Sequence, residues 1–169
     1  MGNVILKDSL NEGVLLVICG TAAGKKSAKT GFPYSQKGNL LYETLFRIGL
    51  TPNKLIPAQY KDLSKFGIGL TDLAKYVFGG DNKLKKSDFD IESFKTKIYA
   101  LSPQIICFNG KKAASVYFDK RTNNLEYGLQ NDIESAYTYF IAPSTSAKAR
   151  KYWDLNIWND LSDLYRFKA

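Results

Sequence analysis

Three apolar runs along the chain are short and nearly continuous, without a regular alternation of apolar and polar positions. They are VLLVIC at Val14–Cys19, QIICF at Gln104–Phe108 and YTYFIA at Tyr137–Ala142. Runs of this kind are typical of strands that helices cover on both faces. A fourth stretch, KFGIGLTDLAK at Lys65–Lys75, is broken by glycines, and we interpret it as an irregular strand or turn with an exposed polar end.

Helical patterns lie between these runs. Asn39 can cap a helix with an apolar face, and Asp90 can cap a second one that Ser102–Pro103 stops. A third helix is predicted after the second apolar run, and Trp153–Phe167 closes the chain as an amphipathic helix. The polar segment at Gly79–Ser87 is the best candidate for a mobile surface loop.

Strands that alternate with helices over short connections predict a mostly parallel sheet. We therefore expect one α/β domain over residues 1–169, with a central sheet between two layers of helices. Ligands of such sheets bind beyond the carboxyl ends of the strands. Three loops at that edge are rich in small residues, hydroxyls or lysines and predict one shared cleft: Gly20–Tyr34, Asn109–Lys112 and Pro143–Arg150.

The charge of the chain narrows the class of partner. Its 24 Lys and Arg residues exceed 16 Asp and Glu residues, which gives a net charge of +8. Such a chain is attracted to polyanions, so nucleic acid is the leading partner, with an ordinary lysine-rich surface as the alternative.

Two further features of the composition exclude catalysis by an imidazole and metal sites built from four thiolates. The chain has no histidine and two cysteines, so it has no imidazole base or ligand and cannot form a four-thiolate metal site. Cys19 and Cys107 lie in apolar runs, where we expect reduced core residues. No apolar segment approaches the length of a membrane span, so we expect a soluble intracellular protein, in the cytoplasm or nucleoid if it is bacterial.

The loop after the first apolar run, GTAAGKKS, has the outline of a phosphate-binding P-loop. That motif needs four residues between its glycines and then Lys followed by Ser or Thr. Gly20 and Gly24 enclose only three residues, and Lys25 is followed by Lys26. The spacing therefore argues against a nucleotide-hydrolysing P-loop protein.

Two separated motifs in this chain resemble those of the mismatch-specific uracil-DNA glycosylases and thymine-DNA glycosylases, within the uracil-DNA glycosylase superfamily. The first family motif is Gly-Ile-Asn-Pro-Gly, then Thr-Gly-Phe-Pro with an aromatic residue, then Asn; here the same spacing holds Gly20–Gly24, Thr30–Tyr34 and Asn39. The second is Pro-Asn-Pro-Ser-Gly with a later Arg, which corresponds to Pro143–Ala147 and Arg150. The resemblance covers most of the chain and implies a uracil-DNA glycosylase-like fold.

The resemblance implies that a base is flipped out of DNA into a pocket. Tyr34 has the position of the ring that stacks on the base, although it could also simply fill the core. Backbone N–H groups of the first loop and the Asn39 amide would bind the base oxygens, where negative charge develops; Asn39 equally suits a helix cap. The implied pocket consists of Gly20, Thr21, Ala22, Ala23, Gly24, Phe32, Tyr34 and Asn39.

The second motif supplies, in the family, a wedge that enters the minor groove beside the flipped base. Here Ala147 and Ala149 are small for a wedge, whereas Lys148, Arg150 and Lys151 suit phosphate contacts. A solvated basic loop is the alternative. The implied DNA-binding residues are Lys26, Ser27, Ser144, Ser146, Ala147, Lys148, Ala149 and Arg150.

The chain departs from the family pattern at the residue that positions the attacking water. Ala22 replaces the family's Asn in the first motif, and Ser144 replaces the Asn of the second. Asp72 is our preferred substitute, because a carboxylate can orient water and stabilise a cationic sugar; an Asp after Thr is also a common helix cap. Glu43 is a weaker candidate.

Lys75 allows a further hypothesis, in which its amine attacks the sugar to form a Schiff base. The resemblance points instead to simple hydrolysis. We therefore predict a monomeric, monofunctional DNA glycosylase of base excision repair, which removes uracil from mismatches, and other damaged bases, with no metal or cofactor. A weak or inactive damaged-DNA-binding protein of the same fold is the alternative that Ala22 suggests.

Overall fold

A five-stranded sheet forms the centre of the computed structural model, which describes residues 2–169. Its order is β2-β1-β3-β5-β4, and the first four strands in this order run parallel. Only β4, which has two residues and no signal in the apolar pattern, runs antiparallel to its neighbour. The strands are β1 (Leu16–Gly20), β2 (Ile68–Asp72), β3 (Ile105–Asn109), β4 (Gly128–Leu129) and β5 (Thr138–Ala142).

Strand β2 is regular and buried, which corrects the prediction of an irregular strand or turn at this position. It pairs with β1 along its whole length, from Ile68 to Asp72. Gly69 allows close packing, since a β-carbon there would lie 3.0 Å from the Ser9 carbonyl oxygen. Ser9 and Leu70 form an antiparallel bridge, so the N-terminal segment covers the outer edge of β2. Gly69, one of the two glycines that interrupt the apolar run, therefore serves this contact.

The predicted helices are present, with small differences at their ends. The Asp90 carboxylate accepts a hydrogen bond from the Ser93 N–H and caps α3, as predicted. A short helix, α1, was not predicted; it ends at Gly31, whose φ of +74° a glycine adopts readily. The Gly79–Ser87 segment contains one short 3₁₀ turn and the start of another. The helices are α1 (Lys25–Thr30), α2 (Leu41–Arg47), α3 (Ile91–Leu101), α4 (Lys111–Phe118) and α5 (Leu155–Lys168).

The sheet has a hydrophobic core on each face, which confirms the three-layer α/β/α prediction. Leu16 and Ile18 of β1 pack on the side of α2 and α5, whereas Val17 and Cys19 pack on the side of α3 and α4. Cys19 and Cys107 are both free and buried, as expected of core residues. Among residues 2–169, no helix is long and apolar enough to span a membrane.

The register of the sheet brings the carboxyl ends of four strands to one edge. Gly20 pairs with Asp72, and Asn109 pairs with Ala142. The two family-like motifs follow β1 and β5, so they emerge at this same edge. Strand β2 adds a further strand end that the three predicted loops did not include.

Candidate active site

Asp72 ends β2, and its carboxylate lies directly against the backbone of β1. A β-carbon at position 20 would lie 2.5 Å from Asp72 Oδ1, so Gly20 makes this approach possible. No side chain within residues 2–169 donates a hydrogen bond to the carboxylate. The helix-cap interpretation is wrong, because the next helical turn begins only at Asp81. Asp72 is therefore a partly buried carboxylate whose acceptor positions are free for water or a substrate.

The protonation state of Asp72 follows from its surroundings. Burial raises its pKa to about 6, and the negative charge of Asp8 acts in the same direction, while the Lys75 charge lowers it. The carboxylate is consequently mostly ionised at pH 7. A group with this pKa is suited to accept a proton near neutral pH.

Tyr34 places its hydroxyl on the same side of Gly20 as the Asp72 carboxylate. A β-carbon at position 20 would lie 3.1 Å from the hydroxyl oxygen, which is buried and has no hydrogen-bond partner among the described residues. Burial and the nearby Asp72 charge raise the pKa of Tyr34 well above its usual value, so the phenol stays neutral. Its φ of +56° is rare for an aromatic residue and is typical of positions that a functional site constrains.

Asp72 and Tyr34 line one cleft at the carboxyl edge of β2. The cleft has about 220 Å³ of empty space including its open mouth, and its interior has room for about one water molecule. It lies beside a carboxylate with free acceptor positions, an arrangement that suits the binding of a water molecule. The lining residues are Leu6, Lys7, Pro33, Tyr34, Leu70, Thr71, Asp72 and Lys75.

Most backbone carbonyl groups of the Gly20–Gly24 loop already accept hydrogen bonds within the protein. The carbonyl groups of Gly20, Thr21 and Ala23 accept hydrogen bonds from backbone N–H groups of the segment after β2. The Thr21 hydroxyl donates to Asp81 at 2.6 Å. Within residues 2–169, no group accepts a hydrogen bond from the N–H of Thr21 or of Ala22. These two groups remain able to bind an anion or a carbonyl oxygen.

Asn109, at the end of β3, joins the two motifs, although it belongs to neither of them. Its side-chain NH₂ donates to Thr145 Oγ1 at 2.9 Å, and its Oδ1 accepts from the Thr145 N–H at 3.0 Å. It also lies beside the Tyr34 hydroxyl. The available signal was an Asn-Gly pair directly after a buried strand.

The second motif packs against the segment before α2. The Thr145 carbonyl accepts a hydrogen bond from the Leu40 N–H, and the Arg150 guanidinium donates to the Gly38 carbonyl. Ser144 Oγ accepts from the Ser146 N–H at 3.2 Å. The structure thus brings the two motifs together, as the order of strands predicted.

Comparison with known proteins agrees with this arrangement. A family model described as the uracil DNA glycosylase superfamily matches residues 8–162, which is most of the chain. The chain belongs to the uracil DNA glycosylase superfamily. Members of this superfamily are DNA N-glycosylases, and so is this protein.

The fold of this DNA glycosylase is also found in a solved structure. A solution NMR structure of a Methanosarcina acetivorans protein, provisionally assigned as a uracil DNA glycosylase, matches with a TM-score of 0.65 at 21% sequence identity. The match covers 96% of this chain and 95% of that one. At this identity the likeness supports the fold.

Of the pocket residues assigned from sequence, Tyr34 lines this cleft, whereas Gly20–Gly24, Phe32 and Asn39 are not among its lining residues. Ser27, assigned to DNA binding, is buried. Ser27 is 2% exposed, and its hydroxyl lies 3.1 Å from that of Ser35. This corrects the expectation that Ser27 contacts DNA, because a buried hydroxyl cannot reach a phosphate. Phe32 does not line the cleft; its ring is partly exposed and lies 6.4 Å from that of Tyr60.

The remaining polar candidates are explained by local contacts. Asn39 lies one residue before Leu40, which is the N-cap of α2, so it is not itself the cap. Its Oδ1 accepts a hydrogen bond from the Leu41 N–H at 2.9 Å, which leaves its NH₂ group for other partners. Glu43 pairs with Lys54 at 3.2 Å and is not part of the cleft. Among residues 2–169, no cluster of three or more His, Cys, Asp or Glu side chains could hold a metal ion.

Gly20→Ala is expected to lower the excision rate of the glycosylase by roughly 10–100-fold, because the new methyl group displaces both the Asp72 carboxylate and the Tyr34 hydroxyl. Single-turnover excision from a uracil-containing duplex measures the effect. Gly2→Ala is the control, since a β-carbon there meets nothing within 4 Å. An unchanged rate in the folded Gly20→Ala protein would show that the site does not depend on this close approach.

Proposed function

We propose that this enzyme is a monofunctional uracil DNA glycosylase that acts on mismatched duplex DNA. The observation that carries the proposal is the Asp72 carboxylate, which lies beside Gly20 and Tyr34 in a cleft and has free acceptor positions. Asp72, at the end of β2, supplies the polar group that is missing at position 22, where Ala22 replaces the family's Asn.

The proposed reaction begins when uracil is flipped out of the helix and stacks on Tyr34. The bond between the base nitrogen and sugar C1′ breaks, and its electron pair leaves with the base. The N–H groups of Thr21 and Ala22 donate to the base oxygen on which negative charge develops. Preorganised donors of this kind lower the barrier without reorganising during the reaction.

Asp72 is proposed to interact with the positive charge that develops on the sugar. Its ionised carboxylate stabilises the cationic sugar and orients a water molecule, whose oxygen bonds to C1′ while its proton passes to the carboxylate. Because the ionised form is required, excision is expected to increase as the pH rises through the Asp72 pKa of about 6.

The range of bases is part of the same proposal. An alanine at position 22 leaves more room than the family's asparagine and favours acceptance of damaged bases other than uracil. The DNA backbone would contact the exposed cations Lys26, Lys148 and Arg150, together with the loop around Ala147.

The test is incubation of the pure protein with U·G, U·A and single-stranded uracil substrates, followed by alkaline cleavage at abasic sites. We expect strand scission, with U·G cleaved fastest. No scission from any of the three would contradict the proposal and favour the damaged-DNA-binding alternative. Equal rates for U·G and U·A would contradict only the mismatch preference.

Borohydride reduction during the reaction is expected to trap no protein–DNA adduct. A Schiff base requires the amine to reach sugar C1′, whereas Lys75 Nζ is held 2.7 Å from Asp8 Oδ1 and its side chain is only 9% exposed. Denaturing gel electrophoresis detects an adduct, and one that disappears in Lys75→Met would replace hydrolysis with a lyase mechanism.

A further inference from the structure

Asp8 links the N-terminal segment to β2, α3 and the cleft. Its Oδ1 accepts hydrogen bonds from Thr71 Oγ1 at 2.6 Å and Lys75 Nζ at 2.7 Å, and its Oδ2 accepts one from Lys97 Nζ at 2.6 Å. Burial alone would raise the pKa of Asp8, but the Lys75 charge and the three hydrogen bonds bring it below its usual value. Asp8 is therefore a stable anion between two cations at neutral pH.

The two lysines of this cluster differ in what else they face. Lys75 lines the cleft together with Asp72, and its side chain is 9% exposed. Lys97 is on α3, is 34% exposed, and does not line the cleft. The backbone of Lys75 is also fixed, because its carbonyl accepts a hydrogen bond from the Ile5 N–H at 2.8 Å.

Lys75 is the cation best placed to act on Asp72. The Tyr34 phenol and the Cys19 thiol near Asp72 stay neutral, since burial raises the pKa of each well above its usual value. Lys7, which precedes Asp8 in the N-terminal segment, is exposed to solvent, which screens its charge. The titratable groups around Asp72 are Lys7 and Asp8 of the N-terminal segment, Cys19 of β1, Tyr34 after α1 and Lys75 after β2.

We propose that Lys75 is a positioning residue of the excision reaction: Asp8 fixes its ammonium group at the wall of the cleft, where its charge stabilises the ionised Asp72 carboxylate. This inference rests on the proposed function, because Asp72 must be the group that orients the water. It makes the N-terminal segment, which precedes the first motif, part of the active site.

The experiment compares the pH dependence of single-turnover uracil excision in the wild type, Lys75→Met and Lys97→Met. Methionine replaces the apolar stem of lysine, and in each variant Asp8 keeps Thr71 and the other lysine as partners. The wild-type midpoint is expected near pH 6. Loss of a nearby opposite charge should raise the Lys75→Met midpoint by about one pH unit, with the rate at high pH within about twofold of wild type.

Lys97→Met is the matched control, since it removes the second cation that is bonded to Asp8, and this cation lies outside the cleft. Its midpoint is expected to stay within about 0.3 pH units of wild type, because Lys97 bonds the other oxygen of Asp8 and does not line the cleft. Equal midpoints for the wild type and Lys75→Met, or equal shifts in both lysine variants, would overturn the inference.

Lys75→Gln provides a second test if Lys75→Met does not fold. Glutamine can still donate a hydrogen bond to Asp8 but carries no charge, so the midpoint should rise above that of wild type, as in Lys75→Met. A midpoint equal to or below that of wild type overturns the inference. Failure of the proposed function is distinguishable, because Asp72→Asn would then still excise uracil, or the wild type would excise none.

Discussion

Asp72→Asn is expected to abolish most uracil excision, lowering the single-turnover rate by roughly 10²–10⁴-fold, the usual contribution of a general base. The amide keeps the shape of the side chain but can neither accept the proton of water nor stabilise a cationic sugar. Binding to a uracil-containing duplex should persist within about threefold, because the proposed phosphate contacts come from other residues. Fluorescence anisotropy and alkaline cleavage measure the two properties separately. Undiminished excision would exclude Asp72 as the water-activating group.

The same substitution is expected to stabilise the protein at pH 7 by about 1–2 kcal/mol. The folded-state pKa of Asp72 is raised from 3.8 to about 6, so its stabilising contribution is complete below pH 3.8 and is lost as the pH rises through 6. Asparagine does not ionise and avoids this loss. Urea unfolding at pH 7 and near pH 4 tests the sign, and a variant that is less stable at pH 7 would indicate a structural carboxylate.

Tyr34→Ala is expected to lower excision efficiency by roughly 5–150-fold, corresponding to the 1–3 kcal/mol that base–aromatic stacking contributes. The ring also packs against the core on the α2 side of the sheet, so stability will fall as well. The ratio of excision rate to uracil-duplex affinity, measured on the folded fraction, separates the two effects. Wild-type excision by folded Tyr34→Ala would leave the ring only its role in the core.

Tyr34→Phe is the matched control for that prediction. The hydroxyl is buried without a hydrogen-bond partner among residues 2–169, so its removal should leave excision near wild type and raise stability by up to about 1 kcal/mol. A loss as large as that of Tyr34→Ala would assign the function to the hydroxyl instead of the ring face.

The sequence predicted the parts of the fold that depend on neighbouring residues. The buried strands follow from continuous apolar runs, and the cap at Asp90 follows from a side chain that bonds to the N–H group three positions later. The common edge of the sheet follows from the alternation of strands and helices. The spacing of the two motifs indicated the superfamily that the match over residues 8–162 established.

The sequence by itself therefore determined the fold, the edge of the sheet that carries the site, and the candidate carboxylate. Only the tertiary structure decided that the Asp72 carboxylate, at the end of β2, receives no side-chain hydrogen bond within residues 2–169, that Ser27 is buried, and that Asn109 joins the two motifs. It also brought Asp8 to Lys75 across 67 positions of the chain. The physical reason is that local patterns encode backbone hydrogen bonds and burial, whereas contacts between distant side chains depend on sheet register and on glycines such as Gly20 that allow close approach.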